Sequence, residues 1–258
     1  MLTRYELAEL ESMHMVRLSG KEIAHIKIYF SGLVMKIGKR LRTRQEIVAT
    51  AVMYFKRFYI NNTFYDIDPY LMTATCMYLA CKVEESPHHI KQIWTEAKAA
   101  FTGNVEVSQD IRFPYDVSDI AECESYLLEE MKFYLVVYHP YQVLIEGFPS
   151  VSEQIKLPKA SLQAAWSIIN DSYPTDVALV FPPHVIAVAA MFLSRVVDQG
   201  GQSDAEAQQW FADMNVDITD VLQVVSELLS LYDIWNGYSE DKMPDLVYRY
   251  ISDIAASN

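Results

Sequence analysis

Two short segments of this 258-residue chain carry residue types that could do chemistry. Residues 32–39 resemble a phosphate-binding loop, but the two glycines enclose one residue too many and no Ser or Thr follows the lysine. His88 and His89 could ligate a metal ion, although they adjoin Pro87 in a predicted turn and no further ligand lies at helical spacing. We therefore expect neither a nucleotide loop nor a metal site in these segments.

The cysteines and the common catalytic motifs point the same way. Cys76, Cys81 and Cys123 lack CxxC spacing and lie in apolar helical patterns, which is typical of reduced core thiols. The chain contains no Gly-x-Ser-x-Gly elbow and no His-Glu-x-x-His sequence. We predict a binding module with no metal, no cofactor and no catalytic activity of its own.

The elements that would position any functional side chain are helices, and the clearest lie within residues 45–86. Apolar or small side chains recur there at a 3.6-residue period in two runs: Ile47, Ala51, Phe55 and Phe58, then Leu71, Thr75, Tyr78 and Leu79. Asn61 and Asn62 separate the runs, and Asp68 can cap the second helix with Pro69 at its first position. Because the other faces are also largely apolar, we expect this pair at the centre of a helical domain.

Helical patterns account for nearly all of the remaining chain, which predicts an all-α protein. They cover residues 1–20, 23–38, 90–101, 116–137, 141–148, 158–173, 182–197, 204–214 and 217–235, with a tail helix near 245–255. Shifting the sequence by 114 residues places Pro69 over Pro183 and Met77 over Met191 without a gap. This period is too long for a solenoid and predicts two similar domains of about five helices each.

Composition bounds the function classes. The chain is 51% hydrophobic and 21% charged, and it contains no run of about 18 apolar residues and no signal-peptide pattern, so we expect an intracellular protein without membrane spans. The net charge is -13, and residues 140–258 hold 5 Lys and Arg against 16 Asp and Glu. An acidic second half disfavours nucleic acid and suits basic protein partners, although a solvated face explains it equally well.

Four segments together resemble the cyclin box, in its C-type transcriptional branch. They are YFKRFY (54–59), DPYLMTATCMYLACKVEES (68–86), FYLVVYHPYQVL (133–144) and AAWSIINDSYPTDVALVFPPHVIAVAAMFLS (164–194). The resemblance spans about residues 20–236. It implies two tandem five-helix cyclin-box domains, residues 21–138 and 139–236, with an extra N-terminal helix (1–20) and a short C-terminal tail helix within residues 237–258.

The resemblance also implies a function. The chain is expected to be a nuclear regulatory subunit, not itself an enzyme, that binds and activates a cyclin-dependent kinase of the Mediator kinase module and so acts in regulation of RNA polymerase II transcription. Its expected partners are that kinase and other Mediator kinase-module subunits, with no membrane and no direct nucleic acid. The aromatic and serine segment usual at the start of this branch is not matched by residues 1–10, which predicts a truncated or divergent start.

The family's kinase-binding pair maps by motif to Lys82, within ACKVEE, and to Glu124, within AECESYLLEEM. A surface ion pair between two helices is the structural alternative. In the 114-residue register Lys82 lies over Val196, so the repeated fold does not itself require a lysine there. Glu84 and Glu85 are further kinase-binding candidates, because they could accept from kinase arginines. The resemblance implies that an acidic residue of this branch replaces a phosphate on the kinase's activation loop, and Glu85 is the candidate for that role; a capped helix end in water is the structural alternative.

Two alternative functions use the same fold. A cyclin H-like chain would activate a different transcriptional or kinase-activating cyclin-dependent kinase. A transcription factor IIB-like chain would bind DNA and would need a basic face, for which one cluster is available: Lys36, Lys39, Arg40, Arg42 and Arg44. That cluster could equally be a nuclear-import signal or a solvated turn.

Overall fold

The computed structural model describes residues 3, 5–7, 18–102, 113–154, 159–198 and 216–255. Within these ranges every regular element is a helix and no strand occurs, which confirms the predicted all-α class. The predicted helix at 204–214 and most of the one at 1–20 lie outside the described residues.

The helices are numbered along the described chain. Their bounds are α1 Gly20–Leu41, α2 Gln45–Asn61, α3 Pro69–Val83, α4 Ile90–Thr102, α5 Val117–Glu130, α6 Pro140–Gln154, α7 Lys159–Ser172, α8 Val177–Val180, α9 Pro183–Asp198 and α10 Ile218–Trp235, followed by a 3₁₀ turn Glu240–Lys242 and α11 Met243–Ala255.

The helices form two compact units. One contains α1 to α5 together with the 3₁₀ turn and α11, and the other contains α6 to α10. The C-terminal helix therefore belongs to the unit of the first repeat, although it follows the second repeat in the chain.

Helix α3 forms the centre of the first unit and packs against α1, α2, α4 and α5. Its start follows the predicted cap, because the Asp68 carboxylate accepts from the backbone N–H of Tyr70 (2.8 Å) and of Leu71 (3.3 Å), with Pro69 at the first helical position. Met72 and Met77 are fully buried. A helix surrounded by four others needs apolar side chains on every face, and this explains why the sequence of α3 is apolar all round.

Helix α5 is shorter than predicted. The pattern suggested residues 116–137, but the helix ends at Glu130, where Lys132 (φ 49°) and Phe133 (φ 58°) turn the backbone into the left-handed region. The N–H of Phe133 donates to the carbonyl of Leu128 (3.1 Å), a bond that closes a helix end. The apolar period beyond it is misleading, because Phe133 and Tyr134 are exposed and not part of the core.

Gly38 has a different role from the one its sequence position indicates. The helical pattern over residues 23–38 predicts that α1 ends at Gly38, but the helix continues to Leu41 and ends through Arg42 in the left-handed region. A Cβ added at Gly38 would lie 2.3 Å from Val48 Cγ2 and 3.2 Å from Met77 Cε. The glycine therefore allows α1 to approach α2 and α3 closely.

Substituting Gly38 by alanine is expected to lower the free energy of unfolding by about 1 to 3 kcal/mol, since the stiff Val48 side chain must move. Gly32 is a matched control in the same helix, because no atom lies within 4 Å of its added Cβ. Gly32→Ala is expected to stabilise the protein by about 0.5 to 1 kcal/mol. Urea unfolding followed by circular dichroism measures both, and equal effects would contradict the packing role of Gly38.

In the second unit, α9 is the central helix and packs against α6, α7 and α10. Helix α7 begins at Lys159, 114 residues after the start of α2 at Gln45, and α9 begins at Pro183, 114 residues after Pro69. The sequence register therefore holds for the central helix pair of each unit. It does not extend to the last helices, because α10 begins 101 residues after α5.

Candidate functional site

The last turn of α3 and the middle of α5 bring the two predicted kinase-binding residues together. Lys82 Nζ lies 2.5 Å from Glu124 Oε1. The lysine side chain is 44% exposed and the glutamate side chain 13%. Lys82 Nζ also lies 5.0 Å from the centre of the Tyr78 ring, one turn earlier in α3. The Lys82 ammonium group is therefore exposed to solvent, while Glu124 and the Tyr78 ring hold the lysine side chain in place.

Helices α3 and α5 pack against each other, and each contributes a buried cysteine. Cys76 and Cys123 are buried and free, as predicted. Burial raises the pKa of the Cys76 thiol well above its usual value and also raises the pKa of Cys123. Both thiols therefore stay protonated and behave as small apolar groups.

Helix α3 ends in a turn that the two neighbouring acids occupy. The N–H of Ser86 donates to the carbonyl of Cys81 (2.9 Å) and the N–H of Glu85 to the carbonyl of Lys82 (3.3 Å), the paired bonds of a Schellman motif. Glu85 takes the left-handed position of this motif, with φ 51°. Glycine is the residue that occupies such a position without strain, so a glutamate there carries a conformational cost.

The structure gives Glu84 and Glu85 different surroundings. Thr50 Oγ1, on α2, donates to Glu84 Oε1 at 2.7 Å, and Arg44 Nη2 donates to the Glu84 backbone carbonyl at 3.2 Å. Thr50 is fully buried, whereas Glu85 is exposed. Sequence reasoning missed Arg44 and Thr50 at this site, because the first lies 40 and the second 34 residues before Glu84 and neither belongs to a motif.

The basic cluster of the sequence is largely engaged within the first unit. Lys36 pairs with Glu240, Arg40 Nε donates to Glu96 Oε2 at 2.7 Å, and Arg44 binds the end of α3. These contacts neutralise part of the positive face that DNA binding would need. They favour the solvated turn over a DNA-binding role.

The two adjacent histidines organise the turn that precedes α4. His88 Nδ1 lies 2.9 Å from the carbonyl of Ser86, and the N–H of Lys91 donates to His89 Nδ1 at 3.2 Å. Throughout the part of the chain that the structure describes, no group of three or more His, Cys, Asp or Glu side chains could hold a metal ion. No helix among those same residues is both long and apolar enough to span a membrane.

Residues 4–136 match the family model described as "Cyclin, N-terminal domain". That match covers helices α1 to α5, which include Lys82 and Glu124. The chain belongs to the cyclin family. Among similar cyclins, the "RNA polymerase II holoenzyme cyclin-like subunit" of Yarrowia lipolytica is 37% identical over 84% of this chain and 79% of its own length. The "Cyclin-C" of Rattus norvegicus is 37% identical over 87% of this chain and 78% of its own.

Solved cyclin structures share the fold at lower identity. A chain of the yeast TFIIK (Kin28/Ccl1/Tfb3) complex aligns with a TM-score of 0.65 at 21% identity, covering 89% of this chain and 94% of that one. A chain of the yeast RNA polymerase II CTD kinase complex CTDK-1 aligns with a TM-score of 0.69 at 17% identity, covering 90% of this chain and 72% of that one. The cyclin fold therefore extends over nearly the whole chain.

Proposed function

We propose that this cyclin is the regulatory subunit of the cyclin-dependent kinase of the Mediator kinase module. The observation that carries the proposal is the Lys82–Glu124 ion pair, with its lysine exposed at the end of the central helix. Support comes from the relatives at 34 to 37% identity, whose names are Cyclin-C or RNA polymerase II holoenzyme cyclin-like subunit. The chain itself would carry no catalytic residue.

The proposed mechanism uses the donors of Lys82. An ammonium group has three N–H donors, and Glu124 accepts from one of them. The others can donate to the unpaired carbonyls at the end of a kinase helix, where the helix dipole favours a cation. Glu124 orients the lysine and balances its charge. Fixing one end of the kinase's mobile helix in this way would hold the kinase in its active arrangement.

Binding within the Mediator kinase module and a nuclear location follow from the same proposal. The relatives are named for RNA polymerase II, which supports action on transcription. The net charge of -13 is compatible with basic surfaces on partner proteins. Other subunits of the module would be its further partners.

Co-expression with candidate kinases tests the proposal. The chain would be produced separately with the Mediator cyclin-dependent kinase, with Kin28 and with the CTDK-1 kinase. Complex formation would be measured by size-exclusion chromatography, and kinase activity by phosphorylation of a peptide from the RNA polymerase II CTD. We expect a stable, active complex with the Mediator kinase. Preference for Kin28 or for the CTDK-1 kinase would instead favour the alternative in which the chain activates a different transcriptional cyclin-dependent kinase. Salt-sensitive duplex binding in a gel shift would favour DNA binding.

Glu85 offers a test with effects of opposite sign. Glu85→Gly removes the strain of a left-handed glutamate and is expected to raise the free energy of unfolding by about 0.5 to 1 kcal/mol. The same change removes the exposed acid and is expected to lower kinase affinity about tenfold, because a charge-assisted bond to a basic kinase group is lost. Thermal melting and titration calorimetry measure the two effects.

Arg42→Gly is the matched control for Glu85→Gly. Arg42 (φ 56°) occupies the same position at the end of α1, where Thr43 N–H donates to the carbonyl of Gly38 (3.0 Å). We expect Arg42→Gly to stabilise the fold similarly without changing kinase affinity. An unchanged affinity for Glu85→Gly as well would remove Glu85 from the proposed interface.

A further inference from the structure

The turn that follows Lys82 is held from outside its own helix. Arg44 is the residue immediately before α2, and its side chain donates to the backbone carbonyl of Glu84. Thr50, inside α2, donates to the Glu84 carboxylate. These two hydrogen bonds hold the main chain and the side chain of Glu84. The helices α2 and α3 are thereby connected at the level of the turn and not only through their apolar faces.

The bonds from Arg44 and Thr50 help to stabilise the strained backbone of Glu85. Glu85 is in the left-handed region, which a glutamate adopts at a cost, and strained backbone persists only where its surroundings determine it fully. The Schellman hydrogen bonds of the Ser86 and Glu85 amides hold part of this backbone conformation in place. The buried hydroxyl of Thr50 also helps to hold the turn, because its 2.7 Å hydrogen bond to the Glu84 carboxylate is charge-assisted and strongly directional.

We propose that Arg44, Thr50 and Glu84 form a brace that fixes the Lys82–Ser86 turn in its binding geometry. Glu84 is then a positioning residue that faces inward, and Glu85 is the acid presented to a basic group, such as an arginine, of the partner kinase. The inference rests on the proposed function for its kinase part. Its structural part, the rigidity of the turn, concerns the free cyclin alone.

The first arm of the test uses the free protein. Thr50→Val removes the hydroxyl and keeps the volume, so the amides of Glu85 and Ser86 are expected to exchange with solvent about tenfold faster. Thr73→Val is the matched control, since Thr73 is equally buried and its hydroxyl donates within α3, to the carbonyl of Pro69 (2.6 Å). Wild-type exchange rates for both amides in Thr50→Val would overturn the brace.

The second arm measures affinity for the purified Mediator cyclin-dependent kinase, at a temperature where every variant is folded. Thr50→Val and Glu84→Ala are each expected to weaken binding about five- to tenfold, and Thr50→Ser, which keeps the hydroxyl, is expected to bind like the wild type. The double variant Thr50→Val/Glu84→Ala should bind no more weakly than Glu84→Ala alone, because both changes break the same hydrogen bond, the one between Thr50 and Glu84. Additive losses would make Glu84 a direct kinase contact and overturn its positioning role.

The two arms separate the brace from the function it is meant to serve. If the wild-type chain binds no kinase while Thr50→Val still loosens the turn, the proposed function fails and the structural part of the brace stands. If the wild type binds the kinase and Thr50→Val changes neither exchange nor affinity, the brace fails and the proposed function stands.

Discussion

Replacing both Lys82 and Glu124 by alanine is expected to reduce kinase affinity about a hundredfold or more and to abolish kinase activation at ordinary protein concentrations. Charge-assisted hydrogen bonds that are desolvated at an interface contribute about 1.5 to 3 kcal/mol each, and two of them correspond to this loss. The measurement is titration of the purified kinase by the variant, followed by binding and by phosphorylation of a peptide substrate.

The same double substitution is expected to leave the fold almost unchanged. Lys82 is 44% exposed, and an ion pair of this kind contributes only about 0 to 1 kcal/mol to stability. A thermal melt within about 3 °C of the wild type would therefore accompany the loss of binding. This combination separates a binding role from a structural role more clearly than either measurement alone.

Arg40 and Glu96 provide the control pair. They join α1 to α4 at 2.7 Å, with side chains 47% and 25% exposed, so their removal imposes a similar change on the same unit. We expect this second double variant to melt like the first but to bind the kinase normally. Normal kinase activation by a folded Lys82→Ala/Glu124→Ala variant would rule out this pair as the kinase-binding site.

The sequence predicted those parts of the fold that local patterns determine. The cap at Asp68 and the helices α2 and α3 depend on residues within a few positions of one another, and the structure places them as expected. The juxtaposition of Lys82 and Glu124, 42 residues apart, came from the resemblance to cyclins and not from any local pattern.

The sequence did not predict features that depend on distant partners. Glu85 is the acid that the resemblance singles out, but no local pattern predicts a positioning role for Glu84, because the bonds from Thr50 and Arg44 form only when α2 and α3 have packed. Gly38 looked like a helix end, because its closeness to Val48 is a property of two crossing helices. In each case the local pattern was compatible with more than one role, and tertiary contact selected one.

The C-terminal helix α11 is the largest such feature. Its apolar side chains Met243, Val247 and Tyr250 are buried, and the Tyr250 ring meets the Phe64 ring edge-on at 5.8 Å. Its Arg249 Nη2 lies 2.7 Å from the Glu22 carboxylate on α1. A segment that follows the second repeat thus completes the core of the first unit.

Val247→Asp is accordingly expected to lower the free energy of unfolding of the first unit by about 3 kcal/mol, because it places an unpaired charge where the side chain is 1% exposed. Tyr248→Asp, one position along and 74% exposed, is the matched control and should stay within about 0.5 kcal/mol of the wild type. Urea unfolding measures both, and limited proteolysis reports whether α11 detaches.

The comparison decides whether α11 is a structural part of the first unit or an appendage. If Val247→Asp destabilises the protein and exposes residues 238–255 to protease, the first unit folds completely only after residues 243–255 have been synthesised. Folding of that unit then requires contacts more than 200 residues apart, such as the one between Glu22 and Arg249, which places a slow, non-local step late in folding. Equal stability of the two variants would show instead that α11 contributes no net free energy to the unit it contacts.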